Sequence, residues 1–417
     1  MLLHSASQLI TLAGGPQRGH ELGRLQIIPD GAVLIRSGFI EAVGTTLELQ
    51  AAYPNEPGFD AMDHVVMPGF VDPHTHLIWA GDRAVEFEMR LEGRTYLEIL
   101  EAGGGILSTV KATRSASLAS LLDQTRLRLW SMFEHGTTTA EAKTGYGLKT
   151  AAEVRLLQAL LTLNHEGPMD LVLTFLGAHA IAPEYTGRSD AYTDLVCTTM
   201  LPIIKEWWSE HASTQPLPFV DVFCEKGAFD LAQTRRIFLS AQNLGFPLKI
   251  HADEFLNLGG VPLAVELKAA SADHLVKTSD EDIHLLAQSD TVAVALPCTP
   301  FGLAESEYTP AKKIIDENGI LALASDLNPG TAWCGNMQFV IALACRYLKL
   351  TVAQAIAAST INAAAAIQQA DRIGSIEVGK QADLIILNVN DYRHLGYRFG
   401  TNLVKTVIKK GHIYPIC

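Results

Sequence analysis

The stretch MPGFVDPHTH, residues 67–76, ends an apolar run with two histidines one residue apart. In a β-strand, residues i and i+2 face the same side. His74 and His76 therefore aim two imidazoles into one cavity, an arrangement that suits a divalent metal. Pro68-Gly69 before the pair and Leu77-Ile78-Trp79 after it put the histidines at the end of a buried strand. Two histidines alone are weak evidence. Their weight depends on further ligands at other strand ends.

Outward from this stretch, short β-rich runs recur at 65–71, 137–143, 171–178, 219–224, 247–252, 268–274, 291–296 and 320–326. Their spacing leaves room for a crossover helix after most of them, which predicts parallel βαβ units. In Leu118–Phe133, for example, Leu118, Leu121, Leu122, Leu129, Met132 and Phe133 share one helical face. Arg126 and Arg128 lie off it, and Gly136 supplies the stop. The Ala-rich stretch from Thr351 to Ile367 predicts another helix, with Thr351 as its N-cap. The pattern predicts an α/β fold, a (β/α)8 TIM barrel over residues 66–370.

The two ends read differently. Gln8–Leu12, Arg24–Ile28, Gly31–Arg36 and Phe39–Val43 are strand-like, as are Asp383–Leu387 and Leu403–Ile408, with a turn at Lys409–His412. Neither end can bury a sheet face alone. Together, 1–65 and 371–417 predict a small β-sandwich-like domain built from both termini.

Bulk properties narrow the function. A chain of 417 residues suits one large barrel plus a smaller module, and 48% hydrophobic residues fill a substantial core. The net charge of −13 argues against nucleic acid or an anionic membrane surface as partner. A small anionic substrate stays open, because one pocket arginine can outweigh the global field. The six cysteines, Cys197, Cys224, Cys298, Cys334, Cys345 and Cys417, have no close spacing, as expected of reduced thiols. The first residues lack a signal-peptide pattern, and no segment reaches the apolar length of a bilayer span. The expectation is a soluble cytoplasmic protein.

In a barrel of this type, chemistry collects where strands end. The predicted strands end in His74-Thr75-His76, Glu141-Ala142-Lys143, Gly177-Ala178-His179, Cys224-Glu225-Lys226, His251-Ala252-Asp253-Glu254, Asp273-His274 and Ser325-Asp326-Leu327-Asn328. His74, His76, His251 and Asp326 make a three-nitrogen, one-oxygen set suited to zinc or iron, with room for a water. Such a metal lowers the water's pKa and polarises a substrate carbonyl. His274 and Asp326 are then placed to trade the water's proton with the leaving group. Plainer roles compete. The histidines, including His179 and His274, can be satisfied core groups. Asp326 can cap its turn, since Asp-x-Asn is turn chemistry, and Glu254 can be a salt-bridge partner.

At this point the motifs resemble a known group. HTH after PGFVDP, with a histidine on strand five, a histidine on strand six and an aspartate on strand eight, resembles the amidohydrolase superfamily of metal-dependent cyclic amide hydrolases and deaminases. GSIEVGKQADLIIL, residues 374–387, is similar to that superfamily's return to its small β domain. The strings HLIWAGDRAVEFEMRLEGRTY, GGGILSTVKATR, AEAKTGYGL, TFLGAHA, IHADEF, GGVPLAVEL and SDLNPGT resemble one branch, which opens the imidazolone ring of a histidine breakdown product. The match runs in order from about residue 60 to 370.

The resemblance implies metal ligands His74, His76, His251 and Asp326, holding one divalent or trivalent ion, zinc or iron. It implies substrate contacts from Arg83, Tyr96, Tyr146, His179 and Glu254, with Asn328, Gly330 and Thr331 toward the product, and catalytic roles for Glu254, His274 and Asp326. Which of these three is the general base stays open. It assigns Lys226 no metal, because this branch resembles the mononuclear ones, and it suggests a homodimer. The implied substrate is a five-membered ring amide with a carboxylate tail, and Arg83 offers the fork such a tail wants. A surface ion pair with Glu86 is the competing role for Arg83. Two rival functions remain: a nucleobase deaminase, which needs no carboxylate anchor, and a catalytically silent binding protein on the same barrel.

Overall fold

The computed structural model describes residues 1–94, 98 and 104–416. Its strands, in chain order, are β1 Leu2–Ile10, β2 Ile27–Arg36, β3 Phe39–Thr45, β4 Gly58–Asp60, β5 Val65–Pro68, β6 Phe70–Asp72, β7 Thr137–Lys143 and β8 Asp170–Ala178. They continue as β9 Phe219–Cys224, β10 Leu248–Ala252, β11 Ser271–His274, β12 Val292–Ala295, β13 Leu321–Leu323, β14 Leu384–Leu387, β15 Val404–Lys409 and β16 His412–Pro415. Strands β6 to β13 pair in sequence order as one parallel sheet. Its two edges meet through His76 N–H to Leu327 O (2.9 Å) and Asp326 N–H to His74 O (3.1 Å). The barrel therefore closes where the first and last strand ends carry their ionisable side chains. In register, His251 lies beside Phe223 on one neighbour and Asp273 on the other.

The apolar run over 65–71 is two strands rather than one. Val65–Pro68 pairs with β1 and β14 in a second sheet, and only Phe70–Asp72 enters the barrel. Gly69 sits at the break, where a Cβ would run into the Thr138 side chain. This second sheet has the order β16-β15-β14-β5-β1-β2-β3, with β4 on β1, so both chain ends contribute. It folds over a core that includes Leu9, Val33, Ile35, Val66, Leu384, Ile386 and Ile408. A helix absent from the sequence reading, Thr46–Ala52, follows β3 and starts with a Thr45–Glu48 capping box.

Two helical stretches differ from what their sequence predicts. The stretch from Thr351 to Ile367 forms two helices, Val352–Ala358 and Ile361–Ala366, with Thr351 capping the first. The break frees the Ser359 carbonyl to accept the Val71 N–H (3.0 Å), which ties the barrel's first strand in place. In the helix Leu118–Glu134, Arg128 is buried rather than off the core. Its guanidinium lies 3.4 Å from the Trp79 ring centroid and donates to Leu77 O and Trp79 O. It thereby fixes the chain just beyond His76. Among the described residues, no helix is long and apolar enough to cross a membrane.

Candidate active site

Four side chains from three parts of the barrel converge at its C-terminal mouth. His76 Nε2 lies 3.4 Å from Asp326 Oδ1, His74 Nε2 lies 3.5 Å from the same oxygen, and His251 Nε2 lies 3.3 Å from His76 Nε2. Tetrahedral ligands about 2.05 Å from a central ion would be roughly 3.3 Å apart. His74 Nε2 and Asp326 Oδ1 are buried and without a hydrogen-bond partner. Native interiors seldom leave polar atoms so. A divalent metal fits the donor set, the spacing and the two unpartnered atoms together. His274 joins the group, with a ligand atom within 4.8 Å of one each on His74 and His251.

The backbone is bent to aim these groups inward. His274 and Asp326 hold φ of 81° and 54°, in the left-handed region that costs non-glycine residues roughly 1–3 kcal/mol each. Asp326 is tied further by Thr299, whose hydroxyl donates to Oδ2 at 2.5 Å. Burial pushes the Asp326 carboxyl up, but the adjacent His76 and His274 imidazoles and the Thr299 hydroxyl outweigh it and hold the group far below the carboxylate range. Burial holds His74 well below the usual imidazole value and His251 at about 4, so both rings are neutral, as ligands must be.

Two carboxylates that the sequence reading left unassigned orient these rings. His74 Nδ1–H donates to Asp273 Oδ2 at 2.6 Å, and His251 Nδ1–H donates to Asp221 at 3.0 Å, so each Nε2 lone pair points to the centre. Each carboxylate has a buried lysine. Lys143 Nζ bonds Asp221 Oδ2 and Glu141 Oε1, both at 2.7 Å, and Lys249 Nζ sits 3.5 Å from Asp273. One sequence signal was available: Asp221 in FVDVFC and Lys249 in LKIHA are lone charges inside otherwise apolar strands.

Of the four converging residues, His76, His251 and Asp326 border a cavity of about 730 Å³, lined also by Arg83, Tyr146, His179, Glu254, His274, Asn328, Gly330 and Thr331, and His74 lies buried behind them. His179 stacks on His76, centroids 4.8 Å apart, and donates from Nδ1 to Gly145 O at 3.1 Å. Glu254 lies 3.6 Å from His274 Nε2, and burial pushes its carboxyl up to about 7. Arg83 does pair with Glu86, at 2.8 Å, yet it also faces the cavity. It packs against Gly330 so closely that a Cβ there would collide with its guanidinium. Asn328 Oδ1 accepts from Gly330 N–H and Thr331 N–H, both at 2.8 Å, and shapes that loop. Tyr96 lies outside the described residues.

The barrel and the converging imidazoles suit a divalent metal, and the Amidohydrolase family model, which matches residues 248–414, marks the chain as a hydrolase. The chain is 51% identical to an imidazolonepropionase of Herpetosiphon aurantiacus, over 99% of this chain and 96% of that protein. It is 46% identical to one from Chloroflexus aggregans, over 99% and 98%. The chain belongs to the imidazolonepropionase family. Similar solved structures include an adenosine deaminase from Xanthomonas campestris with bound zinc (TM-score 0.70, 20% identity, 100% of this chain and 92% of that one). E. coli guanine deaminase superposes with a TM-score of 0.73 at 15% identity, over 99% and 98%. At such identities these two speak for the fold alone.

Proposed function

We propose that this protein hydrolyses 4-imidazolone-5-propanoate to N-formimidoyl-L-glutamate, a step of histidine degradation. The 51% identity to an imidazolonepropionase across nearly the whole chain carries this reading. We assign His74, His76, His251 and Asp326 as ligands of one ion, zinc or iron. Bound there, such a metal supplies Lewis acidity toward the ring carbonyl and acidifies a water. Asp326, held ionised, accepts the proton of the attacking water. His274 donates to the carbonyl oxygen as charge develops on it. Glu254 keeps its proton near neutrality and delivers it to the ring nitrogen as the C–N bond breaks. Tyr146 and His179 wall the ring, and Asn328, Gly330 and Thr331 border the site of the opened product.

Arg83 takes the propanoate tail, which displaces Glu86 as its partner. Arg83→Met is expected to raise KM by about 10- to 100-fold with kcat far less affected, since a charged hydrogen bond is worth roughly 1.5–3 kcal/mol. Steady-state kinetics check it, and an unchanged KM would remove Arg83 from the binding role.

The pH profile follows from Glu254. Its working form is the protonated acid, and its pKa is raised to about 7. That form is lost as pH rises, so kcat/KM is expected to fall above about pH 7. Glu254→Gln, which has no proton to lose in that range, is expected to flatten the limb and to lower kcat by about 100-fold. A limb of the same midpoint surviving in this variant would assign the proton to another group. Product analysis tests the reaction itself: formimidoylglutamate without free ammonia from imidazolone propanoate is expected, and ammonia released from guanine or cytosine instead would favour a deaminase.

A further inference from the structure

Glu153 takes no part in the reaction above, yet it is fully buried in the first turn of the helix Thr150–Glu166. A buried carboxylate is costly unless its oxygens are well occupied. Here Oε1 accepts the N–H groups of Gly147 (2.8 Å) and Leu148 (2.7 Å), and Oε2 accepts that of Gly145 (3.0 Å). Arg114 grips the same segment from its carbonyl side, with Nε donating to Gly147 O (2.6 Å) and Nη2 to Leu148 O (3.3 Å). Residues 145–148 are thus held by an anion on their amides and a cation on their carbonyls.

Directly through Tyr146, and indirectly through the imidazole of His179, that segment reaches the substrate cavity. Tyr146 lines it, with its ring centroid 6.0 Å from His76 and 5.2 Å from His179. The carbonyl of Gly145 accepts His179 Nδ1–H, which leaves the other ring nitrogen of His179 as an acceptor. Gly145 itself holds φ of +110°, a conformation L side chains rarely adopt, so the turn depends on glycine and on its amide partner. One carboxylate therefore sets the place of a phenol and the tautomer of an imidazole.

We infer that Glu153 is a positioning residue for substrate recognition, acting through Tyr146 and His179 on the imidazolone substrate. The inference rests on the reaction proposed above. Glu153→Gln isolates it. The amide oxygen can keep the bonds from Gly147 and Leu148, while the NH2 group is set against the Gly145 N–H, donor against donor. Gly145 and its hold on His179 are released first.

The test measures KM, kcat and metal content of Glu153→Gln, with nitrogen-15 NMR of the His179 ring as a readout independent of turnover. KM is expected to rise about tenfold and kcat to change less than about threefold, the size of one lost buried hydrogen bond. Metal content is expected to stay at the wild-type value. His179, protonated at Nδ1 in the wild type, is expected to become a mixture of tautomers. If Glu153→Gln does not fold, Glu153→Asp carries the same test, with a rise of about threefold expected as its bonds lengthen. An unchanged KM with an unchanged His179 tautomer would overturn the inference, as would a loss confined to kcat and metal. Failure of the wild type to open imidazolone would instead strike the proposed reaction, and the tautomer readout would still decide the role of Glu153.

Discussion

Asp326→Asn is expected to lower kcat by about 10³- to 10⁴-fold while leaving the fold intact. The substitution keeps the shape of the side chain and changes two things. It removes the negative charge that faces three imidazoles, and it removes the base that takes the water's proton. Thr299 already donates to Oδ2, so the amide oxygen takes that bond and the NH2 group turns to where Oδ1 stood. That group would donate to the lone pairs of His74 and His76, in the space assigned to the ion. Metal content is therefore expected to fall together with kcat. Turnover and metal analysis of the purified variant, beside a thermal unfolding curve, check both parts. Activity and metal near wild type would mean that Asp326 only caps its turn.

Lys143→Met is expected to destabilise the protein by about 3–5 kcal/mol, the cost of leaving a buried ion pair without one partner. Lys143, Glu141 and Asp221 are all fully buried, and the ammonium bonds both carboxylates. Burial disfavours the ammonium, but Asp221 and Glu141 outweigh it and hold the group charged. Methionine fills the volume and supplies no charge. Asp221 would then be left with His251 alone. Denaturant unfolding measures the change, and adding Glu141→Gln is expected to recover part of it. A loss below about 1 kcal/mol would show that the network is hydrated or otherwise compensated.

These residues also mark how far the sequence could be read. The barrel was legible because apolar runs end abruptly in His74, His76, His251 and Asp326, and a strand has few other reasons to stop on such groups. The buried charges were not legible. Glu141 and Lys143 alternate at i and i+2, which ordinarily marks a solvated strand face, and only the closed barrel turns that face inward. The split at Gly69 was hidden because 65–71 reads as one apolar run. Its division is decided by β1 and β14, strands remote in sequence. The helix break falls on Ser359-Thr360, weak helix formers masked by the alanines on either side, and the Ser359 carbonyl is held there by the Val71 N–H. Arg128 reads as off the core by helical period, yet its long side chain reaches Trp79. Arg83 satisfies both of its readings at once, as an ion pair with Glu86 and as a cavity wall.

The central claim is one reactive ion held by four convergent side chains and used to open an imidazolone ring. Titrating chelator-stripped protein with zinc, while following the ultraviolet loss of imidazolone propanoate, tests it most directly. Turnover is expected to rise linearly and to break at one equivalent per chain. No turnover at full metal loading, or a break at two equivalents, would contradict it.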